Sequence, residues 1–89
     1  MKINSGFELR EMCGEYIIIA TGKENIDFSK VVSLNESAAW LWRQVEGKDF
    51  NPETLATLLM GEYDVDEATA LADARTLAGL WAREGLVTE

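Results

Sequence analysis

The chain has 89 residues, of which 47% are apolar, and this length and composition fit one folded domain, residues 1–89, with a single small core. Its net charge of −8, from 16 acidic and 8 basic side chains, disfavours binding to nucleic acid, because phosphate recognition depends on clustered Lys and Arg. The single cysteine, Cys13, and the lack of histidine exclude an internal disulfide, a histidine base and a Cys- or His-rich metal site.

The first third of the chain has the residue period of β-strands. Residues 7–12 alternate apolar and charged side chains, and Cys13-Gly14 is a turn signal because glycine tolerates positive φ. Residues 16–21 are almost continuously apolar, which predicts a central strand. Residues 30–34 predict a third strand, whereas residues 26–29 have no assigned structure. Three strands in succession predict an antiparallel meander with the first and third strands outermost.

The period changes to that of a helix at Asn35. Asparagine is a favoured N-cap because its side-chain oxygen accepts a hydrogen bond from the first helical turn. The first helix is predicted to run from Glu36 to about Glu46, with Gly47 following as the C′ residue. Its apolar stripe consists of Ala38, Leu41, Trp42 and Val45.

Two further helices follow. The second is predicted to begin with Asn51 as the cap and Pro52 as the first helical residue. The third is predicted to begin after residues 64–67 and to stop at Gly85, with Leu86 packing back on the helix in a Schellman cap. The inner stripe of this third helix is predicted to be Ala70, Ala74, Leu77, Ala78 and Trp81.

The predicted fold class is α+β, a three-stranded antiparallel β-meander followed by three helices, similar to a winged helix-turn-helix. A nucleic-acid reader of this shape presents Lys or Arg from its recognition helix. Here the third helix lacks such a basic face, and the charged residues that it presents are Asp66, Glu67, Asp73, Arg75, Arg83 and Glu84. Asp73 is expected to be a helix cap or an ion-pair partner of Arg75 or of an arginine of the sheet.

An ordered set of residues extends through most of the chain: Phe7-x-x-Arg10, Gly14, Leu34-Asn35, Ala38-Ala39-x-Leu41-Trp42, Gly47, Tyr63-x-Val65, Ala70-x-x-Asp73, Leu80 and Gly85-Leu86-Val87. This set resembles the coenzyme PQQ synthesis protein D (PqqD) family, which recognises ribosomally made, modified peptides. The resemblance implies a three-stranded sheet on a winged-helix-like trio, with no catalysis and no cofactor. It also implies that a precursor's leader segment binds as an extra strand beside the third strand, in a groove also lined by the third helix.

The same resemblance implies that the bound leader is presented to a modifying enzyme, typically a radical S-adenosylmethionine protein. The connection at residues 22–29 is longer and more acidic than the family pattern, so the client need not be the precursor of the redox cofactor. The candidate peptide-binding residues are Val31, Val32, Ser33 and Leu34 of the third strand and Ala70, Ala74, Leu77 and Ala78 of the third helix. An exposed strand edge offers backbone groups for strand addition, and small helix residues leave room for a groove.

Other interpretations remain open at this point. An alanine stripe also fits close helix packing, and a Val-Val strand also fits a core. A rival function is an acidic winged-helix regulatory protein that binds a protein partner or nucleic acid. An enzyme is disfavoured, because the sequence has no nucleophile–base pair, phosphate loop or metal cluster.

The expected partners are therefore the leader peptide and its modifying enzyme, with no nucleic acid and no membrane. No apolar run is long enough to span a bilayer, and a cytoplasmic location is expected. The sequence leaves a homodimer open and does not identify the client.

Overall fold

The computed structural model describes residues 1–4, 6–21 and 26–88 of the chain. Within these ranges the backbone forms five strands and three helices. The strands are β1 (Lys2–Ile3), β2 (Phe7–Met12), β3 (Glu15–Thr21), β4 (Ile26–Leu34) and β5 (Val87–Thr88). The helices are α1 (Glu36–Val45), α2 (Pro52–Glu62) and α3 (Glu67–Arg83).

The main sheet is antiparallel, and its strand order of β2-β3-β4 confirms the predicted meander. The third strand begins at Ile26 rather than at Lys30, so the unassigned residues 26–29 belong to β4. Their sequence alternates apolar and polar residues, and β3 supplies the partners, since Ala20 pairs with Asp27. The pairing register between β3 and β4 shifts between Ile18 and Ala20. Over this segment β4 has more residues than β3, and the extra residues form an irregular part of the strand. Residues 22–25, the rest of the predicted connection, lie outside the described residues.

Side-chain caps fix where α1 and α2 begin, as the sequence predicts. Asn35 caps α1 by accepting a hydrogen bond of 2.8 Å from the backbone N–H of Ala38. Asn51 caps α2 by accepting one of 2.8 Å from the N–H of Thr54, and the Thr54 hydroxyl accepts in return from the N–H of Asn51. This reciprocal capping box, followed by Pro52 at the first helical position, gives α2 a defined start.

Asp66 is the residue that caps α3. Its carboxylate accepts a hydrogen bond of 2.8 Å from the backbone N–H of Thr69. Hydrogen bonds from the side chain and the backbone of Thr69 lower the pKa of Asp66 below its usual value. Asp73, which the sequence suggested as a cap, lies instead in the middle of α3.

A complete Schellman motif ends α3, as predicted. The N–H of Leu86 donates to the carbonyl of Trp81 at 2.8 Å, and the N–H of Gly85 donates to the carbonyl of Ala82 at 3.1 Å. Gly85 has φ of 74°, a left-handed conformation that glycine adopts without a Cβ penalty. The motif turns the chain so that Leu86 is buried and β5 can pair with β1.

The two ends of the described chain form a small antiparallel pair that the sequence pattern did not predict. Lys2 pairs with Thr88 and Ile3 with Val87, and the N–H of Asn4 donates to the carbonyl of Leu86 at 2.9 Å. Two-residue strands are too short to show a period, so the residue pattern gives no sign of β1. The pair closes one side of the core, where Val87 is buried.

The core is built around two tryptophans, in agreement with the sequence analysis. Trp42 and Trp81 are both fully buried, and their rings meet edge to face with centroids 5.1 Å apart. The ring of Phe50 also meets Trp81 edge to face, at 6.0 Å. Ile18 and Leu34 belong to the same buried cluster, so it joins the sheet to the helices.

Candidate functional site

Strand β4 forms one edge of the main sheet. Val31 is 43% exposed and Ser33 is exposed, whereas Val32 is half-buried and Leu34 is buried. This alternation places Val32 and Leu34 on the face that packs on the core, and Val31 and Ser33 on the opposite face. No proline or charged residue lies between Val31 and Leu34, so this part of the edge lacks the usual features that block pairing with another strand.

The tight turn between β2 and β3 shows which backbone groups of the sheet point in which direction. Cys13 and Gly14 both have positive φ, 54° and 79°, as in a type I′ turn. Met12 and Glu15 are paired across this two-residue loop. In such a hairpin the closing pair is hydrogen-bonded, so the N–H and C=O of Glu15 point to β2.

The hydrogen-bonding direction of Glu15, followed along β3 and then across to β4, identifies the backbone groups of β4 that face outward. Backbone direction reverses at each residue along a strand, so Ile18, three residues after Glu15, directs its N–H and C=O to β4. Val32 is the register partner of Ile18, and its backbone groups therefore point back to β3. Ser33, the next residue, directs its N–H and C=O to the free edge of the sheet. These groups are the ones that an added strand would bond.

A pocket of about 310 Å³ opens beside the C-terminal end of β4. Its apolar lining comes from all three helices and consists of Ala38, Leu41, Leu59, Leu77 and Leu80. This volume is at the lower end of the range for ligand-binding pockets, about 300–1,000 Å³. The pocket therefore offers a largely aliphatic surface close to the strand edge.

The polar lining of the pocket is Asn35, Ser37, Asp73 and Thr76. The Ser37 hydroxyl donates to the side-chain oxygen of Asn35 at 3.0 Å, and the Thr76 hydroxyl donates to the backbone carbonyl of Ala72 at 2.9 Å. Asp73 has no hydrogen bond or ion pair with any side chain that the structure describes, so the ion pair suggested by the sequence is not seen there. It is the one ionisable side chain among the residues that line the pocket.

The structure separates the helical residues predicted for the groove into two sets. Ala70, Ala74 and Ala78 are at most 2% exposed and belong to the buried core, and they do not line the pocket. Leu77 is half-buried and does line the pocket. The helical wall is instead the neighbouring stripe of α3, which consists of Asp73, Thr76, Leu77 and Leu80. The sequence did contain a signal for this wall, because its four residues are spaced i, i+3, i+4, i+7 next to the alanine stripe.

A second depression, of about 490 Å³, lies where the sheet meets the start of α1. Ser33, Leu34 and Asn35 line it together with residues of the β2–β3 turn, including Gly14 and Tyr16. Asn35 thus lines both depressions, and β4 ends between them. The C-terminal end of β4 therefore borders two surface depressions.

The part of the chain that the structure describes contains neither a metal-binding cluster nor a membrane-spanning helix. No three side chains among its Cys, Asp and Glu residues are grouped so as to hold a metal ion. None of its helices combines the length and the hydrophobicity that crossing a membrane requires.

The fold is similar to that of a solved structure of TbiB1 in complex with the TbiA(beta) leader peptide. The TM-score is 0.71, the sequences are 23% identical, and the match covers 97% of this chain and 93% of the TbiB1 chain. At this identity the likeness concerns the fold: three antiparallel strands followed by three helices. No curated protein matches the sequence. The family model described as coenzyme PQQ synthesis protein D (PqqD) matches residues 15–87, and the chain belongs to that family.

Proposed function

We propose that this chain is a non-catalytic binding module that holds the leader segment of a ribosomally made precursor peptide. The leader adds as a strand to the free edge of β4, and the module presents it to a modifying enzyme, for which a radical S-adenosylmethionine protein is our candidate. Membership of the PqqD family and the fold shared with TbiB1, solved with a leader peptide, support peptide recognition as the general role.

The observation that carries the proposal is the direction of the Ser33 backbone. Its N–H and C=O point to the free edge of the sheet, so a peptide in extended conformation can form two hydrogen bonds with this residue alone. Each such bond contributes about 0.5–1.5 kcal/mol net. Alternate side chains of the peptide then point to the two faces of the sheet, one of which leads to the pocket at Leu77.

The proposed peptide-binding set follows from this geometry. Val31, Val32, Ser33 and Leu34 form the edge, and Leu77 contributes to the pocket wall. Ala70, Ala74 and Ala78 take part indirectly, because their small side chains let α3 pack closely on the core and so fix the position of that wall. Presentation to an enzyme requires no chemistry from this chain, so the proposed role needs no catalytic group.

Amide hydrogen exchange combined with calorimetry tests the proposal. The genes next to that of this chain are first searched for a short precursor peptide; its synthetic leader segment is the probe, and its core segment is the control. In the free protein we expect the Ser33 amide to exchange quickly and the Val32 and Leu34 amides to be protected by β3. The leader should bind and slow exchange at Ser33, whereas the core segment should not bind.

The outcomes separate the parts of the proposal. If the leader binds without protecting Ser33, it docks elsewhere and strand addition at β4 is wrong. If neither segment binds, the proposed function is wrong. Turnover of the precursor by this chain alone would contradict the non-catalytic role.

A further inference from the structure

The pocket beside β4 combines an aliphatic wall with one carboxylate. Four leucines, Leu41, Leu59, Leu77 and Leu80, supply most of its apolar lining, and Asp73 lies on the same stripe of α3 as the last two. A purely apolar side chain of a bound peptide would make favourable contacts with the leucines only. Covering Asp73 with such a side chain would remove water from a charged group without replacing its hydrogen bonds, which is unfavourable.

The other polar groups of the pocket do not compensate Asp73. The Ser37 and Thr76 hydroxyls donate elsewhere, to Asn35 at 3.0 Å and to the carbonyl of Ala72 at 2.9 Å. The side chains that the structure describes place no cation beside Asp73; their one ion pair joins Arg10 and Glu8, on β2. An occupant of the pocket is therefore favoured if it brings its own donors to this carboxylate.

We propose that Asp73 makes this pocket selective for a lysine or arginine side chain of the bound peptide. The inference rests on the function proposed above. Lysine and arginine carry a long aliphatic stem and a charged end, so the stem lies against the leucines while the charged end meets Asp73. The client peptide is thus expected to carry a basic residue at the position that faces the pocket.

The charge of the whole chain acts in the same direction. With 16 acidic and 8 basic residues, the molecule attracts a basic segment over distances of about a Debye length, ~10 Å at 0.1 M salt. This long-range attraction raises the association rate with any basic peptide, whereas contact with Asp73 selects one position. The long-range attraction and the contact with Asp73 can be separated by experiment, because a variant that neutralises an acid far from the pocket changes only the long-range attraction.

The test uses Asp73→Asn, which removes the charge and keeps the shape, and Asp64→Asn as a matched control. Asp64 is also exposed, changes the net charge equally and does not line the pocket. Calorimetry measures binding of the leader peptide used above and of variants in which each of its lysines and arginines is replaced in turn by alanine. A third variant, Asp73→Lys, is paired with peptides in which each basic residue is replaced by glutamate.

We expect Asp73→Asn to weaken leader binding about three- to tenfold and Asp64→Asn to change it less than twofold. One alanine peptide should show the same loss with the parent protein and no further loss with Asp73→Asn. The matching glutamate peptide should regain affinity with Asp73→Lys, which also covers the case in which Asp73→Asn folds poorly.

Equal effects of the two Asn variants, or additive losses with every alanine peptide, would overturn the selectivity while leaving the leader-binding function intact. A leader that binds tightly but contains no basic residue would do the same. If the parent protein binds no leader at all, the proposed function fails and this inference fails with it.

Discussion

Proline substitutions at two neighbouring residues of β4 test the direction of the backbone. Proline has no N–H, so it is tolerated in a strand where that N–H points away from the sheet. The register of the sheet places the N–H of Val32 toward β3 and that of Ser33 toward the free edge. Val32→Pro and Ser33→Pro therefore remove the same chemical group from opposite sides of one strand.

The two substitutions are expected to reduce the stability of the free protein to different extents. Val32→Pro removes a hydrogen bond of the β3–β4 ladder and places the proline ring against β3. The acceptor left unpaired on β3 alone costs about 1–3 kcal/mol. A small domain has a free energy of unfolding of about 5–15 kcal/mol, and each kcal/mol lowers Tm by about 4–8 °C at this size. We expect Tm to fall by at least ~4 °C for Val32→Pro. Ser33→Pro loses no bond within the free molecule and should change stability by less than about 1 kcal/mol.

Peptide binding should show the opposite order. Ser33→Pro removes one hydrogen bond to the added strand and puts a ring in its path, so leader affinity should fall at least about tenfold. Ser33→Ala is the matched control, because it removes the side chain but keeps the N–H, and it should bind as the parent does. Thermal melts followed by circular dichroism give Tm, and calorimetry gives Kd. If Ser33→Pro is the less stable variant, or if it binds the leader normally, the derived direction of the edge is wrong.

Three further outcomes are expected. Gly85→Ala should lower the free energy of unfolding by about 1 kcal/mol because φ is 74° there, whereas Gly79→Ala, within α3, should raise it by about 1 kcal/mol in denaturant titrations. Two hydrogen bonds lower the pKa of Asp66, so its ionised form stabilises the fold above the unfolded pKa. This stabilisation disappears as pH falls through the folded pKa. Asp66→Asn keeps the cap but has no titrating group, so melts of this variant in acid should lose less stability as pH falls. Ala74→Trp should destabilise the core by about 1–3 kcal/mol or more, whereas Thr76→Trp should fold and block the pocket to the leader.

Each of these comparisons contains its own control. A Cβ added at either glycine would meet no atom within 4 Å, so a loss of stability in Gly79→Ala would contradict the assignment of the Gly85 effect to backbone conformation. An unchanged acid limb in Asp66→Asn would show that the cap does not contribute to acid unfolding. Normal leader binding by a folded Thr76→Trp variant would place the peptide outside the pocket.

Residue patterns predicted the helical part of the fold well, because its boundaries are encoded locally. Asn35 and Asn51 carry side chains that cap a helix whatever the tertiary context, and Gly85 ends α3 for a local conformational reason. The start of β4 at Ile26 depends instead on partners in β3, which the pattern of a single strand does not reveal. The β1–β5 pair depends on a contact between the two ends of the described chain.

The lining of the pocket was predicted only in part, for a related reason. The most regular apolar stripe of a helix is the one that enters the core, and Ala70, Ala74 and Ala78 follow this rule. A wall that lines a pocket is amphipathic, since one side of it meets protein and the other meets solvent or ligand. Asp73 and Leu80 belong to such an amphipathic stripe. The period of apolar residues therefore indicated the alanine stripe as the groove wall and did not indicate these two residues.

The contact between Trp42 and Trp81 also gives the molecule an optical signature. Two indoles with centroids 5.1 Å apart and planes at 86° couple electronically, and this coupling is sensitive to a small change in their relative orientation. The aromatic band of the near-ultraviolet circular dichroism spectrum therefore contains a contribution that reports on close packing of α1 against α3, separately from helix content. A collapsed state that keeps its helices would lose this band first. The two tryptophans can thus distinguish a variant with an intact core from one that is merely compact, with no label attached.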